Sequence, residues 1–266
     1  MPQPLSKVRP KAYVDYANLN IPDNDHITYL VCSIIARWAR TEFTLSHLMM
    51  FLVEGNDSAA LSIYNALQSD SAKEGALLAA ASAVLKGDEL ATFNAVILAL
   101  KPIAKTRNKL AHWYWCSSPD LRDCLLLANP AKIRKQFERW NTLHRRSLLG
   151  KEAGGEPDSS VFKAETFFVD PESVLVFDLD ELESADLAAG EANTMLAHLQ
   201  MYLRPIIDEP TVEAIKKDGP QKEGTKLIIE AGTSAAALQR LSKLPRFREA
   251  LERVRDQTKN SPQAPA

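Results

Sequence analysis

The sequence predicts a mainly α-helical protein: an antiparallel helical bundle with a small antiparallel β-sheet and a basic helix inserted before its last long helix. Three observations support this fold class. Apolar residues recur every three or four positions over long stretches, which is the period of a buried helix face. About 65 residues between two such stretches contain short apolar runs and turn residues, which are typical of strands. The 266 residues are 45% hydrophobic and 25% charged, as in a soluble globular protein.

Composition and the N-terminal residues exclude several classes. The formal net charge of -2 indicates no particular partner, and the three cysteines have no metal-ligand spacing, as expected in a reducing cytoplasm. Residues 1–22 contain four prolines without a sustained period, so we expect an extended arm over residues 1–24. They also lack the apolar core of a secretory signal, and no run in the chain reaches membrane-spanning length. We therefore expect a cytoplasmic protein without a membrane segment.

The first long helix is predicted to begin at Asp25, because residues 23–25 offer helix caps. Glu42 interrupts its apolar stripe, and a carboxylate in a buried face requires a charged or hydrogen-bonding partner. Two shorter helices are expected at Ser58 to Gln68 and at Lys73 to Leu85. The stripe of the first helix consists of Ile27, Val31, Ile34, Trp38, Leu45, Met49 and Leu52.

The rest of the chain is organised around the stretch from Glu89 to Trp115, which predicts a long helix ending in a cluster of polar residues. Arg107 falls within its apolar face, although a guanidinium is rarely buried without a partner. We expect Arg107 to meet Glu42, either in a structural ion pair or in a contact that positions Arg107 for chemistry. Pro102 predicts a bend in this helix. The apolar face consists of Leu90, Phe93, Ile97, Leu100, Ala104 and Ala111.

Polar residues on an adjacent side of this helix form a positive strip that leads to an imidazole. Lys101, Lys105, Asn108 and His112 follow one another at helical spacing. Asn108 can hydrogen-bond one ring nitrogen of His112 and thereby fix the tautomer of the other. Cations beside an imidazole are the groups expected in a site that handles phosphate.

The run Arg107-Asn108-Lys109-Leu110-Ala111-His112 resembles the signature of the HEPN family, which is an arginine, a polar residue, three further residues and a histidine near the end of a long helix. The neighbouring helices extend the resemblance over residues 25–204, a helical domain with an α/β insert at about residues 113–178. The resemblance implies a metal-independent endoribonuclease that needs no cofactor and acts as a homodimer. It also implies a toxin–antitoxin or defence setting, in which a cognate antitoxin protein is a further partner.

The roles implied by the resemblance follow the chemistry of RNA cleavage. Arg107 holds the phosphoryl oxygens, and His112 from two facing chains supplies the base and the acid. Asn108 orients the imidazole ring, and Lys109, like Lys101 and Lys105 along the strip, binds RNA phosphates. Side chains five positions apart on one helix point about 140° away from each other, so two chains bring an arginine and a histidine together more readily than one.

The insert is predicted to contain a small antiparallel sheet. Arg122 to Ala128, Thr166 to Val169 and Val174 to Phe177 are strand candidates, and a turn at Asp170-Pro171-Glu172-Ser173 joins the last two. The residues directly after His112 are Trp113-Tyr114-Trp115, which could stack on bases. A tryptophan-rich strand that enters the core is the favoured interpretation of this run.

A basic helix is predicted inside the insert, where Asn129 provides a cap and Pro130 the first residue. Its apolar face is Ile133, Phe137 and Trp140. A solvated charged face and an RNA-backbone surface are both compatible with its cations, and for the RNA surface we select Arg134, Lys135, Arg145 and Arg146. The run from Arg139 to His144 repeats the signature spacing, but Trp140 stands at its second position, so we interpret it as a coincidental match. The cations are Lys132, Arg134, Lys135, Arg139, Arg145, Arg146 and Lys151.

The last long helix is predicted from Asp180 to Arg204, with a capping box from Asp180 to Glu183. His198 lies among apolar residues and is interpreted as a packed histidine. Residues 205–266 are predicted to form a linker, a weak helix at Ser234 to Asp256 and a flexible tail. The apolar stripe of the last long helix consists of Leu182, Ala189, Leu196, Leu199 and Leu203.

Other chemistries lack their motifs. The sequence has no glycine-rich phosphate loop, no histidine pair at metal-ligand spacing and no Gly-x-Ser-x-Gly motif. Two other function classes remain open. In a non-catalytic RNA-binding or dimerisation module, Arg107 and Glu42 are structural and His112 only ends a helix. In a scaffold protein, the basic helix and the tail recruit partners.

Overall fold

A computed structural model describes residues 2–15, 24–53, 56–152, 170–204 and 233–260; the side chains of residues 140, 143–152 and 260 are outside this description. The prediction of a mainly helical fold with a small antiparallel sheet is confirmed. No described helix combines the length and the apolar composition needed to cross a bilayer. The elements are β1 Gln3–Pro4, α1 Leu5–Val8, α2 Asp25–Leu52, α3 Asp57–Ala66, α4 Asp70–Val84, α5 Gly87–His112, β2 Tyr114–Cys116, β3 Leu125–Ala128, α6 Pro130–Glu152, β4 Val174–Phe177, α7 Leu179–Leu203, α8 Ser234–Leu241 and α9 Pro245–Asn260.

The chain forms two compact units. Unit 1 comprises residues 1–35 and 106–186, and unit 2 comprises residues 36–105 and 187–266. Unit 1 contains a four-stranded antiparallel sheet in the order β1-β4-β3-β2. The predicted strands at Arg122 to Ala128 and Val174 to Phe177 correspond to β3 and β4, whereas Thr166 to Val169 lies outside the described residues. The predicted turn before β4 is a short 3-10 helix at Pro171–Ser173, and the Asp170 side chain caps it.

The two faces of this sheet pack against different elements, because successive strand residues point to opposite faces. On one face, Leu126 and Ala128 of β3 join a core that includes Leu5 and, from the first turn of α6, Ile133. On the other face, Leu125 and Leu127 of β3 join a core with residues of α2, α5 and α7. We call these the α6 face and the α5 face of the sheet.

The predicted extended arm is largely part of unit 1. Gln3–Pro4 pairs with β4 as a strand, and Leu5 is 1% exposed. Arg9 forms an ion pair with Asp120, with 3.1 Å between Nη2 and Oδ1. Asp15 exchanges two backbone hydrogen bonds with Ser117, just after β2. The N-terminal residues therefore contribute to the sheet from one edge to the other, and residues 16–23 lie outside the described residues.

Two predictions about helices of unit 1 are corrected. Ile133 is buried, but Phe137, one turn later on α6, is 47% exposed and does not belong to the buried face that we predicted. The capping box of α7 is Asp178 with Glu181: Glu181 N donates to Asp178 Oδ1 at 2.8 Å, and Asp178 N donates to Glu181 Oε2 at 3.3 Å. Both aspartates have a glutamate three positions later, but Asp178 precedes the first helical turn and Asp180 lies within it.

Unit 2 has a core of helices only, within the part of the chain that the structure describes. The shorter predicted helices correspond to α3 and α4. The predicted weak helix at Ser234 to Asp256 is two helices, α8 and α9, and the second begins at Pro245, where proline fits a helix start. Leu241 and Phe247 are buried in the core, and Arg246 Nε donates to Glu191 Oε2 at 3.0 Å. These C-terminal helices thus belong to the folded unit; the linker at 205–232 and the tail at 261–266 lie outside the described residues.

Candidate functional site

The end of α5 places the signature residues in unit 1. Leu110 is 1% exposed in the core on the α5 face of the sheet, and Ala111 is exposed, which corrects the predicted apolar face by one position. The helix ends at His112, and Tyr114 and Trp115 belong to β2, so the favoured interpretation of the aromatic run as a strand is confirmed for these two residues.

Arg107 and Asn108 are both half-buried and contact each other. Nη1 of Arg107 donates a hydrogen bond to Oδ1 of Asn108 at 2.8 Å. A bond from a charged donor is stronger than a neutral one, so it restrains both side chains. The amide oxygen of Asn108 therefore faces the guanidinium, and the orientation of the His112 ring by Asn108 stays a prediction.

His112 is exposed as the last residue of α5. Within the described part of the chain its ring has no hydrogen bond or ion pair. Two other histidines have partners in the fold: His26 Nε2 lies 3.2 Å from Glu183 Oε1, and His47 Nδ1 donates to the carbonyl of Phe43 at 2.9 Å. The pKa of the half-buried His198 is lowered, first by burial and then by the charge of Arg240, which agrees with its interpretation as a packed residue.

Contacts of the aromatic run hold the end of α5 in place. Trp115 Nε1 donates to the carbonyl of Leu110 at 2.9 Å and so satisfies one of the acceptors that the last turn of a helix leaves open. Trp113 N donates to the carbonyl of Lys109 at 2.9 Å. The ammonium of Lys109 lies 5.6 Å from the centre of the Trp113 ring, within the range of a cation–π contact. The backbone position of His112 is therefore fixed by its neighbours.

The middle residue of the aromatic run differs from the two tryptophans. Tyr114 is 52% exposed, whereas Trp113 and Trp115 are half-buried beside the core on the α5 face. Because β2 is a strand, Tyr114 points to the face opposite to Trp115. From the sequence we gave the three residues a single interpretation. The two-residue period of a strand is the signal that distinguishes Tyr114 from the two tryptophans.

The cations predicted on the strip before the signature have different surroundings in unit 2. Lys101 Nζ lies 2.7 Å from Glu74 Oε1, and the two side chains are 45% and 31% exposed. This pairing neutralises part of the charge that we assigned to RNA binding. Lys105 is exposed.

Glu42 lines a small cavity of unit 2 with a volume of about 70 Å³. Its Oε1 accepts a hydrogen bond from Trp38 Nε1 at 3.0 Å. The cavity is also lined by Tyr64 and Lys73, and the Lys73 ammonium lies 5.5 Å from the centre of the Tyr64 ring. Burial, followed by the charges of Glu42 and Asp70, raises the pKa of Tyr64 to about 12. Glu42 and Arg107 belong to different units, and their pairing stays a prediction.

The basic helix α6 presents part of its predicted RNA surface to solvent. Arg134 and Lys135 are exposed. Lys132 instead contacts the segment before β4: its Nζ lies 3.4 Å from the Glu172 carbonyl and 3.9 Å from Asp170 Oδ2. The side chains of Arg145 and Arg146, and of His144 in the second match to the signature, are outside the described residues.

Comparison with known proteins gives no relative: no family model, no curated protein and no solved structure matches the chain. The resemblance to the HEPN family therefore depends on the six signature residues and on their place at the end of a long helix. Among the described residues no group of three or more His, Cys, Asp or Glu side chains is placed to hold a metal ion.

Proposed function

We propose that this protein is a metal-independent endoribonuclease that cleaves RNA by attack of the RNA's own 2′-hydroxyl. The observation that supports the proposal is the exposure of His112 at the fixed end of α5, with Arg107 held by Asn108 in the turn before it. An exposed imidazole and a restrained guanidinium near the same helix end offer proton transfer and phosphate binding.

The reaction needs three contributions. A base removes the proton of the 2′-hydroxyl, and the oxygen then forms a bond to phosphorus. An acid protonates the 5′-oxygen as its bond to phosphorus breaks, which leaves a 2′,3′-cyclic phosphate and a free 5′-hydroxyl. Imidazole can do both because it titrates near neutral pH, and a guanidinium stabilises the extra negative charge on the phosphoryl oxygens.

A homodimer supplies both proton-transfer groups, with one His112 from each chain. In a single chain, Arg107 and His112 leave the helix about 140° apart, so one helix presents them poorly to the same phosphate. A cytoplasmic toxin–antitoxin or defence setting, with a cognate antitoxin protein as partner, belongs to this proposal. Lys109 and the exposed Arg134 and Lys135 are the cations of unit 1 that we assign to RNA phosphates.

The test compares His112→Ala with His144→Ala, the histidine of the second match. His112→Ala should abolish cleavage of a mixed RNA pool, because the proton transfers need the imidazole. His144→Ala should cleave like the parent. Cleavage should continue in EDTA and leave a cyclic phosphate, and DNA should survive because it lacks the attacking hydroxyl. Circular dichroism and thermal melting should show that both variants remain folded.

Three results would contradict the proposal or a part of it. A purified parent protein that leaves the RNA pool intact, or a His112→Ala protein that cuts it equally well, would favour the binding-module alternative. Light scattering that gives a monomer mass at micromolar concentration would remove the composite dimer site.

A further inference from the structure

We propose that Tyr114 is a stacking platform for an unpaired RNA base next to the phosphate bound at the end of α5. This inference rests on the proposed function and names a subsite and a substrate form for it. The substrate form is single-stranded RNA, because the bases of a duplex are already stacked on each other and are not available to a side chain.

The position of Tyr114 follows from the sheet. Tyr114 pairs with Ala128 across β2 and β3, and β2 is the last strand in the order of the described sheet. Its backbone is thus paired on one side, while the residue as a whole is 52% exposed. A ring held by a paired strand loses little conformational freedom when a base stacks on it, which favours binding.

Tyr114 is also close in the chain to His112 at the end of α5, and its cross-strand partner packs near the start of the basic helix α6. It is two residues after His112, so their Cα atoms are at most about 7 Å apart. Its cross-strand partner Ala128 packs on the α6 face, where Ile133 from the first turn of α6 is buried. The exposed cations Arg134 and Lys135 directly follow Ile133 on that helix. An RNA strand that passes the exposed Tyr114 side chain can therefore contact α6, stack a base on Tyr114 and place the next phosphate near His112.

Within the part of the chain that the structure describes, the two neighbouring tryptophans have side-chain contacts of a kind that the Tyr114 ring does not make. Trp115 donates to the Leu110 carbonyl, and the Trp113 ring contacts the Lys109 ammonium. A tyrosine is also common in edge strands because it fits a half-buried pleated surface, so exposure alone has a structural explanation. The experiment must therefore separate base stacking from strand stability and from electrostatic attraction.

We would measure RNA binding by the full chain in the His112→Ala background, which prevents cleavage of the probe. The probe is a fluorescent single-stranded RNA of about twelve nucleotides, within the site sizes of single-strand binding proteins. Adding Tyr114→Ala should weaken binding by about 5- to 160-fold, the range for loss of one base–aromatic stack. Tyr114→Phe, which keeps the ring, should bind like the His112→Ala background. Tyr29→Ala, at a tyrosine that is 64% exposed on α2, is the matched control and should also bind normally.

Two further readings distinguish stacking from charge. The salt dependence of RNA binding should have the same slope in Tyr114→Ala and the background, because the substitution removes no cation. Inorganic polyphosphate, which has the charge but no bases, should bind both proteins equally. Unchanged RNA affinity in Tyr114→Ala, or an equal loss for RNA and polyphosphate, would overturn the inference. If Tyr114→Ala weakens RNA binding but the parent protein cleaves no RNA, the stacking site stands and the proposed nuclease fails.

Discussion

The cavity of unit 2 that Glu42 lines and the end of α5 in unit 1 both carry charged and aromatic side chains, but these side chains have different surroundings. In the cavity, Glu42 accepts from the Trp38 indole and Lys101 pairs with Glu74. At the end of α5, by contrast, His112 and Tyr114 are exposed to solvent. Charged groups whose hydrogen bonds and ion pairs are made within the fold stabilise the fold. Polar groups that are held in place but exposed to solvent are available to a ligand. The comparison therefore separates a structural cluster from a candidate site.

Glu42→Ala should have the largest effect of the changes considered, and it tests whether Glu42 in the cavity of unit 2 stabilises the fold. If Glu42 pairs with Arg107, its removal leaves a cation in low-dielectric surroundings and should cost about 3–5 kcal/mol in the free energy of unfolding. If its main partner is the Trp38 indole, the cost should be nearer 1–3 kcal/mol. Urea unfolding of the variant and the parent measures the difference.

Glu42→Gln is the control for this prediction, because it keeps a hydrogen-bond acceptor for Trp38 and removes only the charge. It should cost less than Glu42→Ala. Two variants that unfold at the same urea concentration as the parent would place Glu42 outside both interactions.

Two double variants with the same change in charge test which cations contribute to RNA binding. Arg134→Ala with Lys135→Ala removes two exposed cations and should weaken RNA binding and reduce the salt slope by about 1.4 for single-stranded RNA. Lys73→Ala with Lys86→Ala removes two cations of unit 2 that we assign to no RNA contact, and should leave affinity and slope near the parent values. Filter binding at several salt concentrations gives both quantities. Equal effects of the two double variants would show that general charge, and not the exposed face of α6, determines binding.

The smallest expected effect is a pH dependence from Tyr64 in the cavity. Its pKa is raised from 10.0 to about 12 in the folded protein, first by burial. The folded state therefore disfavours the phenolate, and the associated stability is present below pH 10 and is lost as the pH rises from 10 toward 12. Tyr64→Phe should flatten the loss of stability in this range, and Tyr29→Phe, at an exposed position, should not. Urea unfolding at successive alkaline pH values is the measurement, and an unchanged profile in Tyr64→Phe would contradict the prediction.

The sequence predicted the helices well because their signals are long. The predicted stripe of α2 repeats over many turns, and its members Trp38 and Leu52 are buried, as a helical period requires. Its local choices were less reliable. Two aspartates near the start of α7 have the same spacing to a glutamate, and only the position of the first helical turn selects Asp178. Phe137 follows Ile133 at helical spacing, but it is exposed because the core on the α6 face of the sheet ends before it. The spacing of apolar residues does not show where that core ends.

The sequence gives the residues of the candidate site but not their surroundings. The spacing of Arg107 and His112 is a property of the sequence, whereas their surroundings come from residues distant in the chain or on the next element. The bond from Trp115 to Leu110 and the exposure of Tyr114 follow from a strand that begins directly after the helix. The paired state of Lys101 depends on Glu74, which lies on another helix. Such contacts between elements are set by packing, and a single sequence does not specify them.

The pairing of Gln3 with Val176 affects the order in which the sheet can form while the chain is being synthesised. A ribosome adds about 5–20 residues per second, so the N-terminal strand waits roughly ten to thirty seconds for its partner strand to emerge. Until then the sheet next to His112 lacks its final strand pairing. The β1–β4 edge of this sheet is therefore completed only after translation has passed Val176.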